Sequence, residues 1–198
     1  MNGDESRKMA GLTILSGPSG SGKGTVINVT LGALRTRKEP VWLGISDTTR
    51  APRKLEVDGR DYNFVTQDQF DERVANGYYL EYSHHMSASY GTPAPPLIEQ
   101  LESGTPVLLE VDVDGARMAQ KIAREKFGIN PLLVFLQATS LEQLEAQLRG
   151  RGTESEDKIV ERLERAQLEL DVATEFDVIL INRYSGFCAD ILWALISR

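Results

Sequence analysis

Near the start of the chain, Gly17-Pro18-Ser19-Gly20-Ser21-Gly22-Lys23-Gly24-Thr25 has the residue types and spacing of a phosphate cradle. Glycines let a backbone curl until several N–H groups converge on one anion. A helix starting near Lys23 adds its positive end, and the Lys23 ammonium would reach the outer phosphates of a nucleoside triphosphate. The strict form of the motif has Ser or Thr directly after the lysine. Here Gly24 stands in that place, and the Thr25 hydroxyl follows one residue later. Such a loop defines a ligand class only, since kinases, GTPases and motor ATPases all use one. Downstream, Arg50 and Arg53 flank Pro52 in Ser46-Asp47-Thr48-Thr49-Arg50-Ala51-Pro52-Arg53. Two guanidinium forks three residues apart on an extended segment would make a compact clamp for phosphate oxygens.

These groups need a scaffold. Leu12-Thr13-Ile14-Leu15 reads as a buried strand feeding the glycine-rich turn, and Ile27, Leu31 and Leu34 carry helical spacing after it. Further short apolar runs follow at Val41–Ile45, Val107–Val111, Leu132–Leu136 and Val178–Ile181. Near-continuous apolar runs of this length fit parallel strands covered on both faces. Between them, helical spacing is carried by Leu97, Ile98 and Leu101, by Leu141, Leu144 and Leu148, by Ile159, Leu163, Ala166 and Leu170, and by Phe187, Ile191 and Leu195. The alternation predicts a three-layer α/β fold around a five-stranded, mostly parallel sheet. Residues 47–91 break the rhythm with polar and aromatic sequence and short strand-like pieces such as Tyr62–Val65, as an inserted subdomain would. Residues 150–157 form a charged loop between two helices, and loops of that kind act as lids.

At 198 residues the chain fits one sizeable domain over residues 11–198, preceded by a polar, frayed tail over 1–10. The formal charge of −7 argues against a surface that coats nucleic acid or anionic membrane. No apolar stretch approaches the roughly 20 residues of a membrane span, and the polar N-terminus lacks a secretory core. The single cysteine, Cys188, precludes an internal disulfide, reads as a small apolar packing residue, and suits a reducing cytoplasm. His84 and His85, the only histidines, have no nucleophile to pair with and read as structural.

The acceptor-side pattern Ser-x-Thr-Thr-Arg-x-Pro-Arg-x-x-Glu-x-x-Gly-x-x-Tyr-x-Phe-Val, together with the phosphate loop, resembles the guanylate kinase family. The likeness runs from about Leu12 to the C-terminus. It takes in Glu81, Tyr90-Gly91-Thr92, Val111-Asp112-x-x-Gly115 and Arg151-Gly152-Thr153-Glu154. It implies a P-loop nucleoside monophosphate kinase fold with a core over 11–46 and 92–198, a small mixed GMP-binding insertion over 47–91, and a lid at about 147–160. The implied reaction moves the terminal phosphoryl of ATP to GMP with magnesium, the partners being these small molecules and neither nucleic acid nor membrane. By the same resemblance, Gly17 through Thr25 and Asn182 would bind ATP, Asn182 through adenine. Arg50, Arg53, Tyr62 and Tyr90 would hold the GMP phosphate, with Glu56 part of the same motif. Glu81 would accept from the guanine edge, whose amino group adenine lacks, with Ser46, Thr92 and Glu110 beside it. Lys23, Arg151 and Arg162 would neutralise charge during transfer, and Thr25 and Asp112 would serve the magnesium, Asp112 through water.

The chain departs from the family pattern at Gly24, at Gln147 (where a lid-side arginine is usual, with Arg149 beside it on another helix face), and at Arg183, where Asp is frequent after the asparagine. Two other functions share the scaffold: a binding module that has lost catalysis, and a kinase for another nucleotide. Retention of Lys23 and its glycines speaks for an enzyme, and Glu81 with Ser46 and Thr92 speaks for guanine.

Overall fold

The computed structural model describes residues 9–85, 87–150 and 156–197. Residues 1–8, most of the expected tail, and Arg151 with Gly152–Glu154 lie outside these, as does the side chain of His85. The core sheet contains β1 (Leu12–Ser16), β2 (Trp42–Leu43), β7 (Val107–Glu110), β8 (Leu132–Ala138) and β9 (Val178–Asn182), in the order β2-β7-β1-β8-β9 and parallel throughout. The expected second strand, Val41–Ile45, is only two residues long, although Gly44 N still donates to Leu108 O at 2.9 Å.

Alternate side chains of each central strand enter different cores. Ile14, Leu109 and Phe135 face a cluster shared with α3 (Ala94–Glu102) and α4 (Val113–Phe127). Leu15, Leu108, Val134 and Leu136 face a cluster shared with α1 (Lys23–Arg37) and α7 (Ser185–Ile196). Burial on both faces explains the continuous apolar runs, at about 1.5–3 kcal/mol for each large side chain. Cys188 packs in the second cluster, its thiol 3.6 Å from Ile181 O. The buried face of α7 is Cys188, Ala189, Leu192, Leu195 and Ile196, so the expected seam is out of phase at its first position: Phe187 is 66% exposed. α4 had no large-residue periodicity to announce it, because its buried face is Ala116, Ala119 and Ala123. Its ends are nonetheless marked, by Asp112 as N-cap and by Gly128 at φ 67° as C-cap.

The interrupting segment forms a second, mixed sheet of β3 (Asp47–Thr48), β4 (Asn63–Phe64), β5 (Tyr79–His85) and β6 (Ala88–Pro93), ordered β4-β3-β6-β5. It closes two residues later than the expected boundary, because β6 stays paired with β5 as far as Pro93. It also holds a helix, α2 (Gln67–Ala75), started by a reciprocal capping box: Gln69 N donates to Thr66 Oγ1 at 3.2 Å and Thr66 N to Gln69 Oε1 at 2.9 Å. The subdomain is knit by fully buried Asp47, which accepts from Arg73, from Tyr79 OH at 2.8 Å and from Asn63 Nδ2 at 2.9 Å. His84 Nδ1 pairs with Ser89 Oγ at 2.9 Å, and its ring lies edge-on to Phe70. β5 docks on α4, where Leu80 enters the first core and Tyr82 N donates to Met118 Sδ at 3.3 Å.

α5 (Leu141–Gly150) and α6 (Glu156–Asp171) bracket the undescribed residues 151–155, so helix already covers Glu156 and Asp157 of the charged segment expected as loop. No described helix is long and apolar enough to cross a membrane.

Candidate active site

In open parallel sheets a crevice forms outside the carboxyl ends of the strands, where the strand order reverses. Here the chain lays β2 and β7 on one side of β1 and β8 and β9 on the other, so that crevice opens at the end of β1. The glycine-rich loop fills it. Gly17 (φ 139°) and Gly22 (φ 91°) have left-handed backbones, and both are crowded: a Cβ on Gly17 would lie 2.2 Å from Leu136 O, and one on Gly22 would lie 2.5 Å from Asn182 Nδ2. Ser21 N donates to Pro18 O at 3.1 Å, and α1 starts directly after Gly22. The loop therefore presents a curled backbone at a helix N-terminus, the arrangement that holds phosphates.

Lys23 Nζ donates to Gly17 O at 2.6 Å and Pro18 O at 3.2 Å, folded back over the loop that would carry the phosphates. Asn182, expected to contact adenine, is a buried polar residue. Its amide is 6% exposed and turned inward: Nδ2 donates to Ser21 O at 2.8 Å, and Oδ1 accepts from Ser185 Oγ at 3.2 Å. It is a strut under the loop. Thr25 is exposed and lines a pocket of about 400 Å³ over the loop, together with Gly20, Gly22, Gly24, Asn28 and Glu110.

A larger cleft of about 520 Å³ runs from Gly17, Ser19 and Lys23 across to Ser46, Tyr62 and Tyr90 of the second sheet. Beyond it, a smaller cavity of about 150 Å³ shares Ser46, Tyr62 and Tyr90 and is lined by Glu81. Glu81 is 5% exposed, accepts from Thr92 Oγ1 at 2.6 Å, and Thr92 Oγ1 lies 3.3 Å from Ser46 Oγ. Burial pushes its carboxyl up to about 7; the Thr92 hydroxyl pulls down and the Asp112 charge adds to the rise. Glu110, at the end of β7, lines all three cavities. The Tyr62 and Tyr90 rings meet edge-on at 5.9 Å, and burial pushes the Tyr62 phenol up.

Arg50 and Arg53 do not form the joint clamp their spacing predicts. Arg50 gives its fork to Glu56, Nη1 to Oε2 at 2.6 Å and Nη2 to Oε1 at 2.7 Å, while Arg53 offers Glu56 its backbone N–H at 2.8 Å and leaves its side chain exposed. The Arg50 fork, helped by the Arg53 amide, holds the Glu56 carboxyl down at about 2. None of the three lines the cavities just described. Arg50 does lie over the Tyr62 ring at 4.9 Å, behind the cleft wall.

α6 supplies the roof. Arg162 Nη1 donates to Ser19 Oγ at 2.7 Å. Arg165, one turn on, donates from Nη2 to Asp112 Oδ2 at 2.8 Å and from Nε to Glu169 Oε1 at 2.9 Å. Arg165 and Glu169 both line the large cleft, and neither was singled out from sequence. Spacing could have found Arg165, since it shares a face with Arg162. Asp112 uses its other oxygen to cap α4, accepting from Gly115 N at 2.8 Å. Arg149 is engaged on the surface by Glu145 at 2.8 Å and by Glu156 at 2.6 Å.

No group of three or more His, Cys, Asp or Glu among the described residues could hold a metal ion. Magnesium does not require such a group, since it is bound through one or two side chains plus substrate phosphates. Ser19, Thr25, Asn28 and Glu110 bring side-chain oxygens to the pocket over the loop, whereas both Asp112 oxygens are engaged, by Gly115 N and by Arg165.

This fold and loop define a P-loop nucleotide-kinase class of α/β protein. A family model described as guanylate kinase matches residues 9–187, and the chain belongs to the guanylate kinase family. A guanylate kinase of Thermobifida fusca (strain YX) is 46% identical over 186 residues, 94% of this chain and 90% of its own. One of Synechococcus sp. (strain CC9311) is 45% identical over 170 residues, 86% of this chain and 85% of its own. The crystal structure of guanylate kinase from Anaplasma phagocytophilum gives a TM-score of 0.74 at 26% identity, covering 96% of this chain and 86% of that one.

Proposed function

We infer that this protein is a guanylate kinase, moving the terminal phosphoryl of ATP to GMP. One observation carries the reading: a single cleft joins the phosphate loop to the tyrosine-lined wall of the second sheet, with a buried carboxylate beyond that wall. Direct transfer needs both nucleotides in one enclosure, in line.

On the donor side, the loop N–H groups and the α1 N-terminus take the ATP phosphates, and Lys23 exchanges Gly17 and Pro18 carbonyls for phosphate oxygens. Asn182 keeps the loop in shape. On the acceptor side, Glu81 accepts from guanine, with Thr92 fixing its Oε1, Ser46 beside Thr92, and Glu110 nearby. Tyr62 and Tyr90 hold the GMP phosphate, and Arg50 joins them with Arg53 as the phosphate displaces Glu56. A bound magnesium ion would neutralise donor phosphate charge, held by those phosphates with the Thr25 hydroxyl and Glu110; Asp112 serves at most through water. An oxygen of the GMP phosphate forms a bond to the terminal phosphorus of ATP while the bond to the ADP oxygen breaks. No side chain need accept a proton, because both phosphates are ionised. Arg162, with Arg151 from the lid, offsets the charge spread over the equatorial oxygens. The single, buried Cys188 supports a reducing compartment, the cytoplasm, for this work.

The test is ADP release with GMP, dGMP, AMP, CMP and UMP as acceptors. Turnover should be fastest with GMP or dGMP. Binding of GMP without turnover would refute the enzyme, and fastest turnover with AMP would refute the guanine-selecting carboxylate.

A further inference from the structure

Arg165 has no part in the mechanism above, yet it stands in the same cleft as Lys23 and Arg162. It projects from α6 one turn after Arg162, so the two guanidinium groups share a helix face. Arg162 touches the phosphate loop through Ser19, and Arg165 touches the end of β7 through Asp112. Together they flank the space between donor loop and acceptor wall, which a phosphoryl group in transit must cross.

The hold on Arg165 is of a kind that can be released. Its side chain is 48% exposed and that of Asp112 is 31% exposed, and ion pairs this wet are weak. Asp112 would not lose its own place on parting, because its Oδ1 stays bonded to Gly115 N at the start of α4. Glu169, 12% exposed, keeps the Nε side of the fork anchored to α6 through an i,i+4 pair. Releasing Asp112 therefore swings the Nη2 end, with the base of the guanidinium fixed.

We propose that Arg165 is a further catalytic residue, leaving Asp112 when both nucleotides are bound and placing its guanidinium on the equatorial oxygens of the phosphoryl in flight. This rests on the guanylate kinase reading. The phosphorus–oxygen bond to ADP breaks as the bond to the GMP phosphate forms, and Arg165 stays protonated throughout. A planar fork fits two of the three equatorial oxygens at once, which a lysine cannot do.

The experiment compares Arg165→Ala and Arg165→Lys with the parent protein, and uses Arg149→Ala as a control on a surface arginine. Readouts are kcat, KM for each nucleotide, GMP binding by calorimetry, and the melting temperature. Arg165→Ala should lower kcat on the order of 10²-fold, the loss seen when one donor to a developing charge is removed. Both KM values and GMP binding should stay within about threefold, since the contact is made only in transit. Arg165→Lys, which retains the charge and the fold, should recover only part of the rate, and Arg149→Ala should match the parent. Ethylguanidinium added to Arg165→Ala should restore some turnover. A kcat within about threefold of the parent, a loss confined to KM, or full recovery by lysine would overturn the proposal. Failure of the underlying reading looks different: the parent itself would release no ADP with GMP.

Discussion

If Glu81 accepts from guanine as proposed, its ionisation should couple acceptor binding to pH, and the coupling can be measured without the donor nucleotide. Raising this carboxyl from 4.5 to about 7 means that ionising it in place costs about 3 kcal/mol. Burial is the main cause, and it favours the neutral form. Guanine presents donors on its N1 and N2 edge, so it requires the carboxylate, and a protonated carboxyl would meet it donor to donor. With half ionisation near pH 7, the carboxylate fraction is about nine-tenths at pH 8 and about one-tenth at pH 6. The dissociation constant of GMP should therefore rise about tenfold from pH 8 to pH 6, with proton release on binding at the acid end. Calorimetry in two buffers of different ionisation enthalpy counts those protons. The phosphate of GMP titrates near pH 6 as well, and Glu81→Gln separates the two: it should weaken GMP roughly 10²-fold at pH 8 and keep only the slope owed to phosphate. In the empty protein the sign for stability is opposite to that of a salt-bridged acid. The folded-state value lies above the unfolded one, so this group's contribution is present below pH 4.5 and lost as pH rises through about 7. A GMP affinity varying less than about threefold across pH 6–8, or a slope undiminished in Glu81→Gln, would refute the reasoning.

Three further outcomes are expected. Lys23→Ala should lower kcat at least 10²-fold while GMP binding measured by calorimetry changes little, because Lys23 sits on the phosphate loop, bonded to Gly17 O and Pro18 O, while the acceptor cavity is lined by Ser46, Tyr62, Glu81 and Tyr90. Asn182→Ala leaves the Ser21 carbonyl without its donor, which should cost about 1–3 kcal/mol in denaturant unfolding and raise KM for ATP more than KM for GMP. Asp47→Ala strips Arg73, Tyr79 and Asn63 of a buried partner, at about 3 kcal/mol; a fall in melting temperature of roughly 10 °C should follow, with KM for ATP nearly unchanged.

How far such features can be read from sequence depends on what each one presents. The central strands are legible because burial on both faces leaves uninterrupted apolar runs, though edge strand β9 carries such a run with Ile179 and Ile181 exposed; the phosphate loop is legible because its glycines answer to backbone geometry that only glycine adopts comfortably. α4 is hidden because its buried stripe is alanine, which carries little hydrophobic contrast; its caps, Asp112 and Gly128, were the readable signs. α2 is hidden within a polar segment, though the Thr66–Gln69 capping box is written in the sequence. Spacing put Arg50 and Arg53 together but could not reveal that Glu56 claims the Arg50 fork, since that depends on how a loop folds over itself. Asn182 was placed rightly at the end of a strand, while its inward turn depends on the approach of Ser21, distant by 161 positions in the chain.

That separation has a consequence for how the protein is made. The phosphate loop is braced by an amide 161 positions further along the chain. During synthesis the loop emerges long before the strand that braces it. A chain stopped before β9 would thus lack a working cradle, and nucleotide would stabilise only molecules in which β9 has formed. Nucleotide binding becomes a check that the last strand has docked.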